Sequence, residues 1–199
     1  MRKLEFWYDF ASTYSYLSAM RIGVAAKAAR VEVIHRPFLL GPIFKTQGWT
    51  TSPFNLFPAK GRYMVRDIAR VASARGLAFE MPSTFPANGL HAARLALAGE
   101  ADGWIASFTR AVFEAEFAEQ RDIADVAVLS SLLDRIGVDT QAVLARSTTP
   151  EIKDRLRSRT ETASARGLFG APTFITEDGE LFWGDDRLEQ GLDWCRRGA

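Results

Sequence analysis

Cysteine is nearly missing. Cys195 is the single one in 199 residues, so the chain can close no disulfide within itself and carries no Cys-x-x-Cys pair for dithiol exchange. Histidine is scarce too. His35 and His91 lie far apart with no companion ligand at metal-binding spacing, and no structural metal site is expected. Excess charge of one sign is also lacking: 25 Lys and Arg stand against 24 Asp and Glu, a net +1. Such a balance offers no polyanion-binding surface, and no nucleic-acid partner is expected. No apolar run approaches the ~18 residues of a membrane span. The opening residues, charged at Arg2, Lys3 and Glu5, read as a strand and not as a leader. A cytoplasmic protein without a membrane partner is the expectation. Repeats, low-complexity tracts and flexible linkers are absent as well.

What is there centres on Asp9-Phe10-Ala11-Ser12-Thr13-Tyr14-Ser15-Tyr16-Leu17. Before it, Leu4, Phe6 and Tyr8 alternate with Lys3, Glu5 and Trp7, the pattern of a strand with one buried face. After it, Tyr16, Leu17, Met20, Val24 and Ala28 fall at helical spacing as far as Arg30. A strand that enters a helix through a short polar turn leaves backbone N–H groups and the positive dipole end at that turn. An anion or a thiolate placed there is stabilised. Ser12 sits at the junction, where it reads either as a helix cap or as a group facing such a ligand.

Further along, Val31 to Phe38 predicts a second strand, ended by Pro37 and parallel to the first in a βαβ unit. His35 within it reads as a packed or solvent-facing side chain. Residues 39–58 break periodicity with Gly41, Pro42, Gly48, Pro53 and Pro58, and predict a long loop. Its Phe44, Trp49, Phe54 and Phe57 could wall a pocket in which Lys45 meets an anionic group. Residues 59–166 predict helices: one on Tyr63, Val65, Ile68 and Val71; one capped by Asn88 and stopped by Gly99; one with Trp104, Phe108, Val112, Phe113 and Phe117 as a core stripe. Another carries Val126, Leu129, Leu132, Leu133 and Ile136 before Gly137, Asp139 caps a short one, and Thr149-Pro150-Glu151 opens the last. Residues 172–176 and 181–183 predict a hairpin, and 187–197 a final helix with Leu188, Leu192 and Trp194 inward. The order βαβ, helical block, ββα predicts an α/β thioredoxin-type fold with an all-helical insertion: residues 1–58 and 167–199 as the thioredoxin-like part, 59–166 as the insertion.

Particular residues carry a resemblance. Tyr8-Asp9-Phe10-x-Ser12-x-Tyr14-Ser15-Tyr16-Leu17 resembles the opening motif of the 2-hydroxychromene-2-carboxylate isomerases and kappa-class glutathione transferases, in the DsbA-like branch of the thioredoxin fold. The likeness continues at Arg36 to Gly41, at Lys45 and at Pro58 to Met64. It resumes at Gly167 to Phe174 and at Phe182 to Arg187, so it spans nearly the whole chain. The chain departs from the family at Thr13, where many relatives have proline, and at Trp49, where the kappa transferases have an asparagine.

The resemblance implies glutathione as cofactor, an aromatic 2-oxo acid as substrate and a homodimer. It implies that Ser12 donates a hydrogen bond to the cofactor's sulfur, favouring the thiolate without itself becoming a covalent nucleophile. No histidine stands near Ser12 in sequence, which agrees with that role and argues against a serine hydrolase. By resemblance Pro172 is the cis-proline of the fold, and Ala171 offers its backbone to the cysteinyl part of glutathione in the manner of an added strand. The turn Trp183-Gly184-Asp185-Asp186 would hold the γ-glutamyl end, Asp186 taking its ammonium and Asp185 capping the last helix. Lys45 and Lys60 are candidate cations for the substrate carboxylate, and Asn55 and Asn88 candidate pocket contacts. Isomerisation through reversible thiolate addition, conjugation by a transferase of the same fold, and a non-catalytic glutathione-binding module are the open functional readings.

Overall fold

The computed structural model describes residues 1–49 and 51–197. Thr50, inside the predicted 39–58 loop, and the last two residues of the predicted 167–199 segment lie outside the described residues. Strand β1 (Arg2–Tyr8) leads into helix α1 (Thr13–Ala29), and β2 (Val31–Pro37) returns parallel to β1 with Phe6 paired to His35. Helices α2 (Leu40–Thr46), α3 (Pro53–Leu56) and α4 (Pro58–Ala74) follow. Next come α5 (Leu90–Ala98), α6 (Ile105–Phe117), α7 (Val126–Arg135), α8 (Thr140–Ser147) and α9 (Pro150–Ala165). The hairpin β3 (Thr173–Thr176) and β4 (Leu181–Trp183), a 3₁₀ turn at Asp185–Arg187 and helix α10 (Leu188–Arg197) end the fold. The sheet runs β2-β1-β3-β4, with β1 antiparallel to β3 and β3 antiparallel to β4. This is the predicted thioredoxin-type order, βαβ and ββα around a helical block.

Strand β1 is interior, and its burial corrects the expectation of one covered face. Leu4, Phe6 and Tyr8 enter the main core, but Trp7 on the other side is equally buried, with Phe38, Ile43, Ala163 and Leu168 around it. An interior strand with helices on both sides can bury both faces, as β1 does from Phe6 to Tyr8, while Lys3 near its start stays exposed. In the main core Phe6 stacks on Tyr8 with centroids 4.7 Å apart, Phe10 lies 5.1 Å from Phe113, and Phe113 lies 6.3 Å from Phe117. Burying each such ring contributes roughly 1.5–3 kcal/mol. This aromatic column fixes where β1 stops, and so where the Ser12 turn begins.

Several predicted stripes shift. In α1 the N-terminal half is buried nearly all round, between the sheet, α4, α6 and α10, while Val24 and Ala28 are exposed. The inward face of α4 is Met64, Ile68 and Ala72; Tyr63 is exposed. On α10 Cys195 is inward and Trp194 outward, its indole N–H donating to Asp178 at 2.8 Å. Residues 39–58 are not one loop: Pro42 stands in the first turn of α2 and Pro53 opens α3, positions where a missing N–H removes no helical bond. Asn88 lies one residue before the cap of α5, accepting from Leu90 N at 3.1 Å.

Candidate functional site

The site is built where β1 runs out. Asp9 turns the chain: its carbonyl accepts from Ser12 N at 3.0 Å and its Oδ1 from Ala11 N at 2.9 Å. Ser12 follows in extended conformation as the N-cap of α1, and its Oγ accepts from Ser15 N at 3.2 Å. The first turn of α1 holds no acidic residue of its own; Asp9 lies just before the cap, bound to Ala11 N. The hydroxyl proton of Ser12 points elsewhere, to the carbonyl oxygen of Ala171 at 3.0 Å. Ser12 is therefore both the cap and the bridge between the first helix and the C-terminal hairpin. The two roles use different parts of one hydroxyl, lone pair and proton.

The Ala171–Pro172 peptide bond is cis, as the family resemblance implies. Pro172 O accepts from Gly184 N at 3.0 Å, which brings the Trp183-Gly184-Asp185-Asp186 turn to the same spot. Gly184 has φ +110°, and a Cβ there would lie 2.6 Å from Asp186 Oδ1. A Cβ on Gly170 would lie 2.4 Å from the indole nitrogen of Trp183. Trp183, 51% exposed, packs against the half-exposed Phe169 with centroids 4.8 Å apart. Ser12, Ala171, Pro172, Trp183, Gly184, Asp185 and Asp186 are thus brought to one place.

The two aspartates of the turn divide their work differently from the expectation. Asp185 does not cap the following helix with its side chain. It is 4% exposed, and its Oδ1 accepts from Ser18 Oγ at 2.9 Å and Arg21 Nε at 3.1 Å, its Oδ2 from Arg75 Nη2 at 2.7 Å. A carboxylate surrounded by two guanidiniums is drawn away from the backbone amides that a cap would serve. Arg21 also pairs with Glu189 on the surface. The side chain of Asp186, by contrast, is 72% exposed and touches only Arg187, at 3.4 Å, among the described salt bridges.

Lys45 lies in the last turn of α2 and Lys60 in the first turn of α4; both are exposed, and the ammonium of Lys60 sits 4.9 Å from the Phe57 ring centre. Asn55 is exposed on α3 and donates to Thr51 Oγ1 at 3.0 Å. Asn88 is exposed and engaged with the start of α5. No hydrogen bond joins these four to the Ser12 turn among the described residues.

Sequence reading missed several groups around the turn. Tyr14 donates to Asp67 Oδ2 at 2.9 Å, linking α1 to α4. Burial pushes Asp67 up, but hydrogen bonds from Tyr14, Arg70 and Tyr63 outweigh it and hold the carboxyl below its usual range. Asp9 is buried, which raises its pKa against the pull of the Leu40 and Ala11 amides. Deeper still, Glu116 of α6 is raised well above the carboxylate range by burial and then by the charges of Asp9 and Asp122. Burial lowers His35 to about 4, so that it stays neutral and packs its ring edge-on to Phe6 and Tyr8. Its place is in the packing, away from chemistry.

Comparison with known proteins agrees with the fold. The family model for the DSBA-like thioredoxin domain matches residues 3–193. The 2-hydroxychromene-2-carboxylate isomerase of Sphingobium xenophagum is 26% identical, the match covering 94% of this chain and 95% of that protein. Human glutathione S-transferase kappa 1 is also 26% identical, over 94% of this chain and 88% of its own length. A solved 2-hydroxychromene-2-carboxylate isomerase superposes with a TM-score of 0.85 over 94% of this chain and 91% of its own, at 23% identity, a likeness of fold.

Proposed function

The chain belongs to the DSBA-like thioredoxin family and holds a serine where that fold can carry a redox thiol; on that premise we propose that it is a glutathione-dependent cis–trans isomerase of an aromatic 2-oxo acid, of the 2-hydroxychromene-2-carboxylate type. The observation that carries this reading is the Ser12 hydroxyl, held at the N-cap of α1 and 3.0 Å from the carbonyl before Pro172. Nearby there is no second group able to form a disulfide, since the lone Cys195 is buried against Lys3 on the far helix. When bound, glutathione would supply a thiolate that adds to the substrate's conjugated double bond, opens it to rotation, and leaves again, so that no electrons are gained or lost.

The residues present fit that group. Ser12 turns its proton from Ala171 O towards the sulfur, and the helix N-terminus stabilises the charge. Ala171, released from Ser12, offers its carbonyl to a peptide N–H, so the number of hydrogen bonds is kept. Asp186, exposed and paired with Arg187 alone among the described residues, takes the γ-glutamyl ammonium, while Asp185 fixes the Trp183–Gly184 turn from behind. Lys45 and Lys60 receive the substrate carboxylate, with Asn55 and Asn88 as polar contacts at the rim and the aromatic side chains of 44–57 beside the ring. A cytoplasmic homodimer completes the reading.

The test is an assay of a 2-hydroxychromene-2-carboxylate with and without glutathione. Isomerisation that needs glutathione and returns it, and that collapses in Ser12→Ala, is the expected result. Turnover indifferent to glutathione, or intact in S12A, sinks the assignment. A second reading, a conjugating transferase, is favoured by the equal similarity to human glutathione S-transferase kappa 1. Stoichiometric consumption of glutathione would select it.

A further inference from the structure

Asp9 makes more bonds than a turn requires. Besides Ala11 N on Oδ1, its Oδ2 accepts from Leu40 N at 2.7 Å, the first residue of α2. One buried carboxylate therefore holds two segments at once: the turn that places Ser12, and the start of the helix that carries Lys45 in its last turn. Leu39, just before, is fixed to α9 through Thr160 Oγ1 at 3.3 Å. Gly89 closes the other side, a Cβ there lying 3.0 Å from Phe10 Cβ and 3.7 Å from Asp9 Oδ1.

A second buried carboxylate stands near this one. Glu116 is 1% exposed, and neither of its oxygens has a hydrogen-bond partner among the described residues. The charge of Asp9 reaches Glu116 and raises it further, so the two do not ionise alike. The one with amide donors keeps the charge, and the one without keeps the proton. Asp9 is the first and Glu116 the second, and the charge on Asp9 strengthens both of its amide bonds.

We propose that Asp9 is the positioning residue of this site: as a carboxylate it locks the Ser12 turn to α2, so that the hydroxyl meant for a bound thiol and the helix bearing Lys45 are set by one side chain. The inference rests on the glutathione reading above and adds to it a residue that touches neither cofactor nor substrate.

Two variants test it. Asp9→Asn keeps the shape but can accept from only one of the two amides. Leu40→Pro removes the Leu40 N–H and sets its ring Cδ against Asp9 Oδ2, so it breaks this one contact outright; proline is otherwise suited to the first helical position, and Leu39, at φ −117° and ψ 121°, has the backbone that precedes a proline. Leu40→Ala keeps the N–H and controls for the lost side chain. In the glutathione-free protein, amide exchange at Ala11 and Leu40 should accelerate together in D9N, with the β1–β3 amides unchanged. Calorimetry should show glutathione binding weakened about tenfold in D9N and at least about threefold in L40P relative to L40A.

The ultraviolet absorbance of the bound thiolate, followed against pH, supplies a sign. Removing a negative charge would by itself lower the thiol pKa; losing the placement of Ser12 raises it. A raised thiol pKa in D9N supports the proposal. A lowered or unchanged one overturns it, as does L40P equal to L40A, and the latter pair decides the matter if D9N does not fold. A wild-type chain that fails to bind glutathione overturns the functional reading and the positioning role with it. Wild-type binding with unaltered variants overturns the positioning role alone.

Discussion

Ser12 Oγ and the carbonyl oxygen of Ala171 are hydrogen-bonded at 3.0 Å although 159 residues separate them. The bond joins the N-terminus of α1 to the residue before β3, so the site exists only when both halves of the sheet have come together. Removing the hydroxyl in Ser12→Ala takes away this bridge and the cap bond to Ser15 N. The stability cost should be about 1–2 kcal/mol, the sum of a lost N-cap and a lost hydrogen bond. In the folded variant, glutathione-dependent turnover should fall about 10- to 100-fold if one charge-assisted bond to sulfur is lost. Urea unfolding and steady-state kinetics on the same variant separate the two. Lost stability with turnover of the folded variant unchanged would mean that Ser12 only caps.

The aspartates of the 183–186 turn should behave as opposites. Asp185→Ala strands Arg21 and Arg75 beside a buried gap, and losing one partner of a buried pair costs about 3–5 kcal/mol. Both guanidiniums reach water, at 19% and 30% exposure, so we expect about 2–3 kcal/mol by denaturant titration. Asp186→Asn should change stability by less than about 0.5 kcal/mol. Its effect belongs in glutathione affinity, as a several-fold weakening measured by calorimetry. If D186N binds glutathione as the wild type does, the γ-glutamyl ammonium is held elsewhere.

Gly184→Ala tests the backbone of that turn. At φ +110° an L side chain is strained, and its Cβ would stand 2.6 Å from Asp186 Oδ1. A loss of about 1–3 kcal/mol is expected from the strained backbone. Because the displaced group is the carboxylate assigned to the ammonium, affinity for glutathione should fall together with stability. Intact affinity would separate the turn from the cofactor.

How much of this could be read beforehand depends on what kind of signal each part leaves. The strands, the cap at Thr149, the hairpin at 177–180 and the Ser12 junction announce themselves through alternation, capping residues and turn residues, which are local. The role of Asp185 does not. Arg21 and Arg75 lie far from it in sequence, and no local rule tells a capping acid from one drawn into a buried ion cluster. Trp7 was misread for a related reason, since alternation reports polarity and an interior strand can bury apolar side chains on both faces. Proline in 39–58 signals a break by local rules, yet Pro42 and Pro53 stand in the first turns of helices. Asp9 stood in the central motif, but its bond to Leu40 N depends on where α2 packs.

Glu116 offers a prediction in pH. Its pKa is raised in the folded state by burial, and further by the negative charges of Asp9 and Asp122; no cation enters among the causes. A carboxyl whose folded pKa exceeds its unfolded one binds more protons when folded, so stability is fully present below the unfolded value, near the ordinary carboxylate range. It is lost progressively as pH rises towards and through the folded value. Glu116→Gln keeps the shape of the neutral acid and has no proton to lose. The melting temperature of the wild type should therefore decline from acidic to alkaline pH more steeply than that of E116Q, and the variant should be the more stable of the two at alkaline pH. Parallel curves would show that Glu116 has found a partner, such as a buried water, that holds it charged. The partnerless carboxyl beneath the Ser12 turn would then have no part in setting the charge on Asp9.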